Sequence, residues 1–292
     1  MLSDSLFNSI KSVILTGGEP TLRRDISEIA RLLIENCPHL QHLGVATNGL
    51  IPRLVVKSCG SIAEACKHSN VTLGFAISLD GLEKIHDKVR GVPKAFEKTV
   101  QTIKLLRALQ KKIMFGLGIH CTVTNVNVMG LYDFMKWCNH EGLPYGFAIA
   151  EIRKRNLNEN SDFSMTHEQM QFFLNFLEFL TKKKPSNYYY WMLHRMLKHG
   201  QKRQLTCPFT VEAVSVDPNG DVYYCTDSES IGNILERNIS SIYYDEQNLK
   251  YRQWIEQNKC PSCLQDCMYR ITLKKDLLKL GAFKLRTMIR AK

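Results

Sequence analysis

Ser12-Val13-Ile14-Leu15-Thr16-Gly17-Gly18-Glu19-Pro20-Thr21-Leu22 is the stretch on which the fold turns. A short β-favouring apolar run stops abruptly at two glycines, an acid and a proline. Glycine lets the backbone turn sharply and approach a ligand without side-chain obstruction. Pro20 fixes the following turn and holds Glu19 in extended geometry, with its carboxylate on offer to a ligand ammonium. Taken alone, the tetrapeptide Gly17-Gly18-Glu19-Pro20 has a plainer alternative, a tight turn and nothing more.

The same punctuation recurs downstream. Apolar runs predict strands over 12–16, 42–47, 72–79, 114–122 and 145–150. Three-to-four-residue apolar spacing predicts helices between them, including 26–37, 96–110 and 129–140. Strands alternating with helices make a parallel sheet. After these runs come Thr16-Gly17-Gly18-Glu19-Pro20, Thr47-Asn48-Gly49, Ser78-Leu79-Asp80-Gly81, Thr122-Val123-Thr124-Asn125 and Glu151-Ile152-Arg153. Polar, turn-forming residues thus gather at the carboxyl ends of the strands, the face on which parallel sheets and barrels bind ligands.

Residues 166–200 read as helices, with Phe172, Phe173, Phe176, Leu177 and Leu180 on one side and an aromatic run at 188–191 that packing explains. A different module begins at Cys207. Alternation over 211–216, the turn Asp217-Pro218-Asn219-Gly220 and a second run over 221–225 predict a hairpin. A helix over 246–257 and the string Cys260-Pro261-Ser262-Cys263-Leu264-Gln265-Asp266-Cys267 follow. The expected domains are therefore 1–200 and 201–292.

Composition narrows the class. A chain of 292 residues has room for one large domain or two modest ones. With 44% apolar and 23% charged residues it is an ordinary globular protein, which excludes disordered, collagen-like and rod-like chains. It has no apolar run long enough to span a membrane and no export pattern in its first residues, so a cytoplasmic location is expected. The net charge of +11 is concentrated late: residues 269–292 carry eight basic side chains against Asp276. That tail predicts a closing helix with a solvated basic face, or one suited to an anionic partner. No RNA-binding or helix-turn-helix pattern accompanies it, and nucleic acid is not expected as a partner.

Ten cysteines without an export signal argue for thiol chemistry or metal binding. Cys207 and Cys225 stand at the two ends of the expected hairpin, and Cys260 and Cys263 share one tight turn. Four thiolates can surround one metal centre, either tetrahedral zinc or an iron–sulfur cluster, and spacing alone does not separate the two. Cys267 is a fifth thiol that replaces a ligand, joins another cluster or does neither. Cys37, Cys59, Cys66, Cys121 and Cys138 are scattered through expected helices and strands as small core hydrophobes, although Cys121 and His120 lie near a strand's carboxyl end.

The order and spacing of Val13 to Leu22, Ala46-Thr47-Asn48-Gly49, Ser78-Leu79-Asp80-Gly81 and His86-Asp87-Lys88-Val89-Arg90-Gly91 resemble the radical S-adenosylmethionine superfamily. The pattern of Cys207, twelve residues, Gly220, four residues, Cys225 and then CxxC is similar to that superfamily's SPASM/twitch extension. The resemblance covers roughly residues 12 to 267. It implies an α/β fold: a partial (β/α)6 TIM-like barrel missing its first strand, plus a small cysteine-rich module. By the same resemblance, Gly17, Gly18, Glu19 and Pro20 receive the methionyl amino group of S-adenosylmethionine. Thr47, Asn48, Ser78 and Asp80 occupy positions that contact the rest of that cofactor, and Cys207, Cys225, Cys260 and Cys263 hold an auxiliary [4Fe-4S] cluster. Family members modify peptides, proteins or sugar-like small molecules through a 5'-deoxyadenosyl radical, with a reductant such as a flavodoxin or ferredoxin.

One departure bears on all of this. The family's catalytic cluster is held by CxxxCxxC upstream of the GGEP strip, and this sequence contains no CxxxCxxC. The expectation is an N-terminally incomplete relative, whose catalytic [4Fe-4S] cluster exists only in a longer chain. The rival expectation is a non-catalytic metal-binding or scaffold protein with zinc or an inert cluster in its late module. His86, Asp87 and Arg90 follow a recurrent family segment, although pairing on a helix surface accounts for their charges equally well.

Overall fold

The computed structural model describes residues 4–153, 157–184, 187–210, 212–265 and 281. Cys267 and, Gly281 apart, the basic tail lie outside the described residues. After one turn of helix, α1 (Ser5–Asn8), the chain alternates strand and helix. The order is β1 (Ser12–Leu15), α2 (Ile26–Asn36), β2 (His42–Thr47), α3 (Pro52–Cys66), β3 (Thr72–Ser78), α4 (Lys84–Arg90), α5 (Ala95–Gln110), β4 (Gly116–Val123), α6 (Leu131–His140) and β5 (Tyr145–Ile149). The five strands form one sheet in sequence order, and β1–β2, β2–β3 and β3–β4 pair in parallel.

Alternating side chains set the two faces of this sheet. Leu43, Val45 and Thr47 of β2, Leu73, Phe75 and Ile77 of β3, and Leu117, Ile119, Cys121 and Val123 of β4 are buried. Helices cover apolar surface with Ile26, Ala30 and Leu33 of α2, Val55, Cys59 and Ile62 of α3, and Ile103 and Leu106 of α5. Each buried valine, leucine, isoleucine or phenylalanine among them contributes about 1.5–3 kcal/mol on leaving water. The other face carries small residues in register: Gly44 beside Gly74 beside Gly116, and Ala46 beside Ala76 beside Gly118. Cys37, Cys59, Cys66, Cys121 and Cys138 are buried thiols. Burial pushes the Cys59 thiol up to about 12 and the Cys66 thiol up to about 11, which keeps both protonated.

Two compact units divide the chain, Met1–Ala148 and Ile149–Lys292. The second contains α7 (His167–Lys183), α8 (Tyr188–His199), β6 (Ser215–Val216), β7 (Asp221–Tyr223), β8 (Ser230–Asn233), α9 (Ile239–Tyr243) and α10 (Glu246–Asn258). α7 opens on a reciprocal cap, in which Gln169 N–H donates to Thr166 Oγ1 at 3.2 Å and Thr166 N–H donates to Gln169 Oε1 at 3.0 Å. β6, β7 and β8 form an antiparallel sheet. The hairpin turn closes through Gly220, whose φ of +89° suits glycine and whose site would bring a Cβ within 2.9 Å of Asn233 Oδ1. The first arm is shorter than the alternation over 211–216 predicts. Glu212 and Ala213 N–H groups both donate to Pro208 O, at 2.8 and 3.0 Å, so the chain wraps around Pro208 instead of extending. Among the described residues no helix is long and apolar enough to cross a membrane.

Candidate functional sites

In the first unit the loop after β1 is organised by one carboxylate. Glu19 Oε1 accepts from Thr21 N–H at 3.1 Å, Thr21 Oγ1 at 2.6 Å and Thr47 Oγ1 at 2.8 Å, while Oε2 accepts from Asn48 N–H at 2.7 Å. Glu19 therefore ties the end of β1 to the end of β2, and Oε2 keeps capacity for a further donor. Pro20 and Thr21 are buried behind it. Gly17 and Gly18 stand in front, exposed, and a Cβ built on either meets nothing within 4 Å. Gly17 has φ +131°, a conformation that glycine adopts without strain. The loop thus presents bare backbone beside open space, held from behind by an acid.

Of the other residues the sequence singled out, Asn48 keeps the conformation of its own loop, its Oδ1 accepting from Leu50 N–H at 2.9 Å. Thr47 is buried; its Oγ1 donates to Glu19 and accepts from Gly49 N–H at 3.2 Å. Ser78 ends β3 half-buried, in register with His120 of β4. Asp80 is turned into the protein at 1% exposure. Its Oδ1 accepts from Thr122 N–H at 2.8 Å, and its Oδ2 lies 2.7 Å from Arg90 Nε.

His86, Asp87 and Arg90 serve this arrangement and are not helix-surface pairs. His86 is wholly buried, its Nδ1 accepts from Asp80 N–H at 3.0 Å, and its Nε2 faces Thr99 Oγ1 at 3.4 Å. Burial pushes the imidazole down to about 4, against the pull of Asp80 and with the push of Arg90. Asp87 accepts from Lys94 N–H at 2.9 Å and Phe96 N–H at 2.8 Å, satisfying backbone donors at the start of α5. Asn127, which the sequence reading missed, completes the network. Its Nδ2 donates to Asp80 O at 2.7 Å and Thr122 O at 2.8 Å, and its Oδ1 accepts from Thr124 N–H at 2.7 Å. The ends of β3 and β4 are thereby fixed together, while Gly17, Gly18, Asn48 and Ser78 retain solvent-accessible surface.

In the second unit, Cys207, Cys225, Cys260 and Cys263 line one cavity together with Arg153, Tyr224, Asp227 and Arg252. Cys225 follows β7 of the hairpin; Cys207 does not stand at the hairpin's other end, as the sequence predicts, but just before the turn at Pro208–Thr210, and the tight turn at Cys260–Ser262 brings in the second pair. Burial first, then the neighbouring Cys207, Cys263 and Cys225, push the Cys260 thiol up to about 12. Cys225 is also raised, chiefly by burial. Thiols so crowded resist ionising until a cation shares their charge, which fits a metal centre. Four cysteine thiols lining one cavity are a ligand set for a metal centre, an iron–sulfur cluster included.

Around these thiols stand Arg203 and Arg252, to which the sequence reading gave no role, and Arg153, which it set at the carboxyl end of the fifth strand. Arg153 Nη2 donates to Glu151 Oε2 at 2.8 Å and to Cys263 Sγ at 3.5 Å, and Arg203 Nη1 lies 3.7 Å from the same sulfur. Arg252 lies over the rings of Tyr224 and Tyr243, at 5.0 and 4.8 Å. The sequence does carry one trace of the last: Arg252 precedes buried Ile255 by three positions on the inward face of α10.

The chain matches the Radical SAM superfamily over residues 3–135 and the iron–sulfur cluster-binding SPASM domain over residues 207–268. Similar proteins include the pre-heme d1 synthase of Dinoroseobacter shibae, 26% identical over 168 residues that make up 55% of this chain and 37% of that one. The AdoMet-dependent heme synthase of Methanosarcina barkeri is 34% identical over 119 residues, 40% of this chain and 30% of its own. The GTP 3',8-cyclase of Haemophilus influenzae is 28% identical over 140 residues, covering 47% and 37% of the two chains. These matches span 30–37% of the length of those curated relatives. The structure of native anSMEcpe with bound AdoMet superposes with a TM-score of 0.63 at 16% identity, over 98% of this chain and 88% of that one. Native anSMEcpe with bound AdoMet and Kp18Cys peptide gives 0.61 at 17% identity, over 98% and 90%. At these identities the likeness is one of fold.

Proposed function

From a chain that belongs to the radical S-adenosylmethionine superfamily and carries its SPASM-type iron–sulfur module, we infer the cofactor-binding and electron-transfer portion of a radical enzyme. The observation that carries the reading is the cavity ringed by Cys207, Cys225, Cys260 and Cys263 within the matched cluster-binding segment. Those four thiols would hold an auxiliary [4Fe-4S] cluster. When bound, such a cluster supplies one-electron transfer.

The remaining work falls to the chain's own groups. Gly17 and Gly18 offer bare backbone to the methionyl end of S-adenosylmethionine. Glu19 holds that loop against Thr47 and Asn48, and its Oε2 has room for an ammonium donor. Asn48 and Ser78 flank the same mouth, whereas Asp80, His86 and Asn127 keep the ends of β3 and β4 in place. The substrate would be a peptide, protein or sugar-like molecule, and the electron donor a flavodoxin- or ferredoxin-like protein. The residues present do not fit the radical-generating cluster: no CxxxCxxC occurs, and Cys37, Cys59, Cys66, Cys121 and Cys138 are buried in core packing. No step is therefore assigned to that cluster, whose ligands would have to lie outside these 292 residues.

The missing spacing favours a second reading, a non-catalytic relative that keeps the fold and a metal centre. S-adenosylmethionine binding separates the two. Calorimetric titration of the anaerobically reconstituted chain should give binding that Gly18→Val weakens at least about tenfold, about 1.4 kcal/mol. A Cβ at Gly18 meets nothing within 4 Å, so the fold should be kept. No heat of binding in the wild type would favour the scaffold reading.

A further inference from the structure

The wall of the thiol cavity holds more positive charge than its carboxylates balance. Arg153, Arg252 and Lys259 line it, against Asp227. Arg153 and Arg252 are 7% and 8% exposed. Arg153 has Glu151 as an ion-pair partner at 2.8 Å, and Asp227 lies 3.9 Å away, yet its buried Nε has no hydrogen-bond partner. Arg252 rests on two tyrosine rings, and its buried Nε and Nη2 are both without hydrogen-bond partners. Arg203 Nη2 is in the same condition. Buried guanidinium groups with idle donors are costly unless an anion accompanies them. The anion this cavity is built to acquire is the charge of four thiolates gathered on one cluster. Arg153 already reaches toward it, with Nη2 3.5 Å from Cys263 Sγ.

We propose that Arg153, with Arg252 beside it, is a positioning residue of the four-cysteine centre: it donates to the thiolate sulfurs, offsets their charge and raises the cluster's reduction potential. This rests on the reading that the four thiols hold a cluster. One-electron reduction adds one negative charge to the centre, the electron coming from an external donor, while each guanidinium stays protonated in both states. A fixed neighbouring cation therefore stabilises the reduced form more than the oxidised form. Hydrogen bonds to the sulfurs act in the same direction. Glu151 opposes the effect, because it takes part of the Arg153 charge.

The test is an electron-paramagnetic-resonance titration with dithionite on the anaerobically reconstituted full chain, after iron and acid-labile sulfide have been measured in each sample. Arg153→Met and Arg252→Met are each expected to retain the cluster. At a fixed ambient potential each should shift the reduced-to-oxidised ratio at least about tenfold toward the oxidised form, a midpoint lower by about 59 mV. Glu151→Gln, which leaves the guanidinium in place, should move the midpoint the other way. Loaded variants whose midpoints match the wild type would overturn the proposal while leaving the cluster reading intact. A wild-type chain that takes up no iron and sulfide would overturn both.

Discussion

Lowering the pH from 7 to 5 should destabilise the first unit through His86 in particular. The imidazole is wholly buried beneath Asp80, and burial holds it near 4 in the fold, against about 6.5 in an unfolded chain. Its charged form is thus disfavoured only in the folded state. Above pH 6.5 both states hold it neutral and stability is unaffected. As pH falls from 6.5 toward 4 the unfolded chain takes up a proton that the fold refuses, and stability falls. The full effect below both values is about 3 kcal/mol, of which about 2 kcal/mol falls between pH 7 and pH 5. Urea unfolding of the wild type and of His86→Gln at the two pH values isolates the term, since glutamine can still accept from Asp80 N–H but does not titrate. The wild type should lose about 2 kcal/mol more than the variant, roughly a thirtyfold change in the folded-to-unfolded ratio. Equal losses would mean that His86 titrates normally, and the account of a neutral imidazole supporting the end of β3 would fail.

Asn127→Ala removes three hydrogen bonds, one to Asp80 O past the end of β3 and two that hold the loop after β4. It should cost about 3 kcal/mol at roughly 1 kcal/mol each, read as a lower urea midpoint. Glu19→Gln puts an amide among four donors; amide exchange at Asn48 should speed up at least about tenfold, with the core strands unchanged. Among the thiols, Cys225→Ala should abolish iron uptake, whereas Cys59→Ala should keep uptake and lower stability, since Cys59 is a buried core residue of α3.

Much of the first unit was legible because period-two and period-3.6 patterns are local. The observed strands β1 to β5 fall within a residue or two of the apolar runs, and the Gly17-Gly18-Glu19-Pro20 loop lies where the break in the first apolar run predicts a turn. α3 went unremarked: it starts at Pro52 and includes Val55, Val56 and Gly60, weak helix formers held by packing. The roles of Asp80 and His86 were not legible either. They depend on which way a carboxylate turns once Thr122, Arg90 and Asn127 surround it, and those neighbours are brought together by the sheet, far apart in sequence. The late cysteines announced themselves by spacing. The guanidinium groups around them did not, because an arginine's burial is set by tertiary packing and only Arg252 left a periodic trace.

The measurement that bears most directly on the whole account is the iron and acid-labile sulfide content of the anaerobically reconstituted chain, taken with its zinc content. The account predicts about four irons and four sulfides per chain, lost together in Cys207→Ala. Zinc without labile sulfide would contradict it.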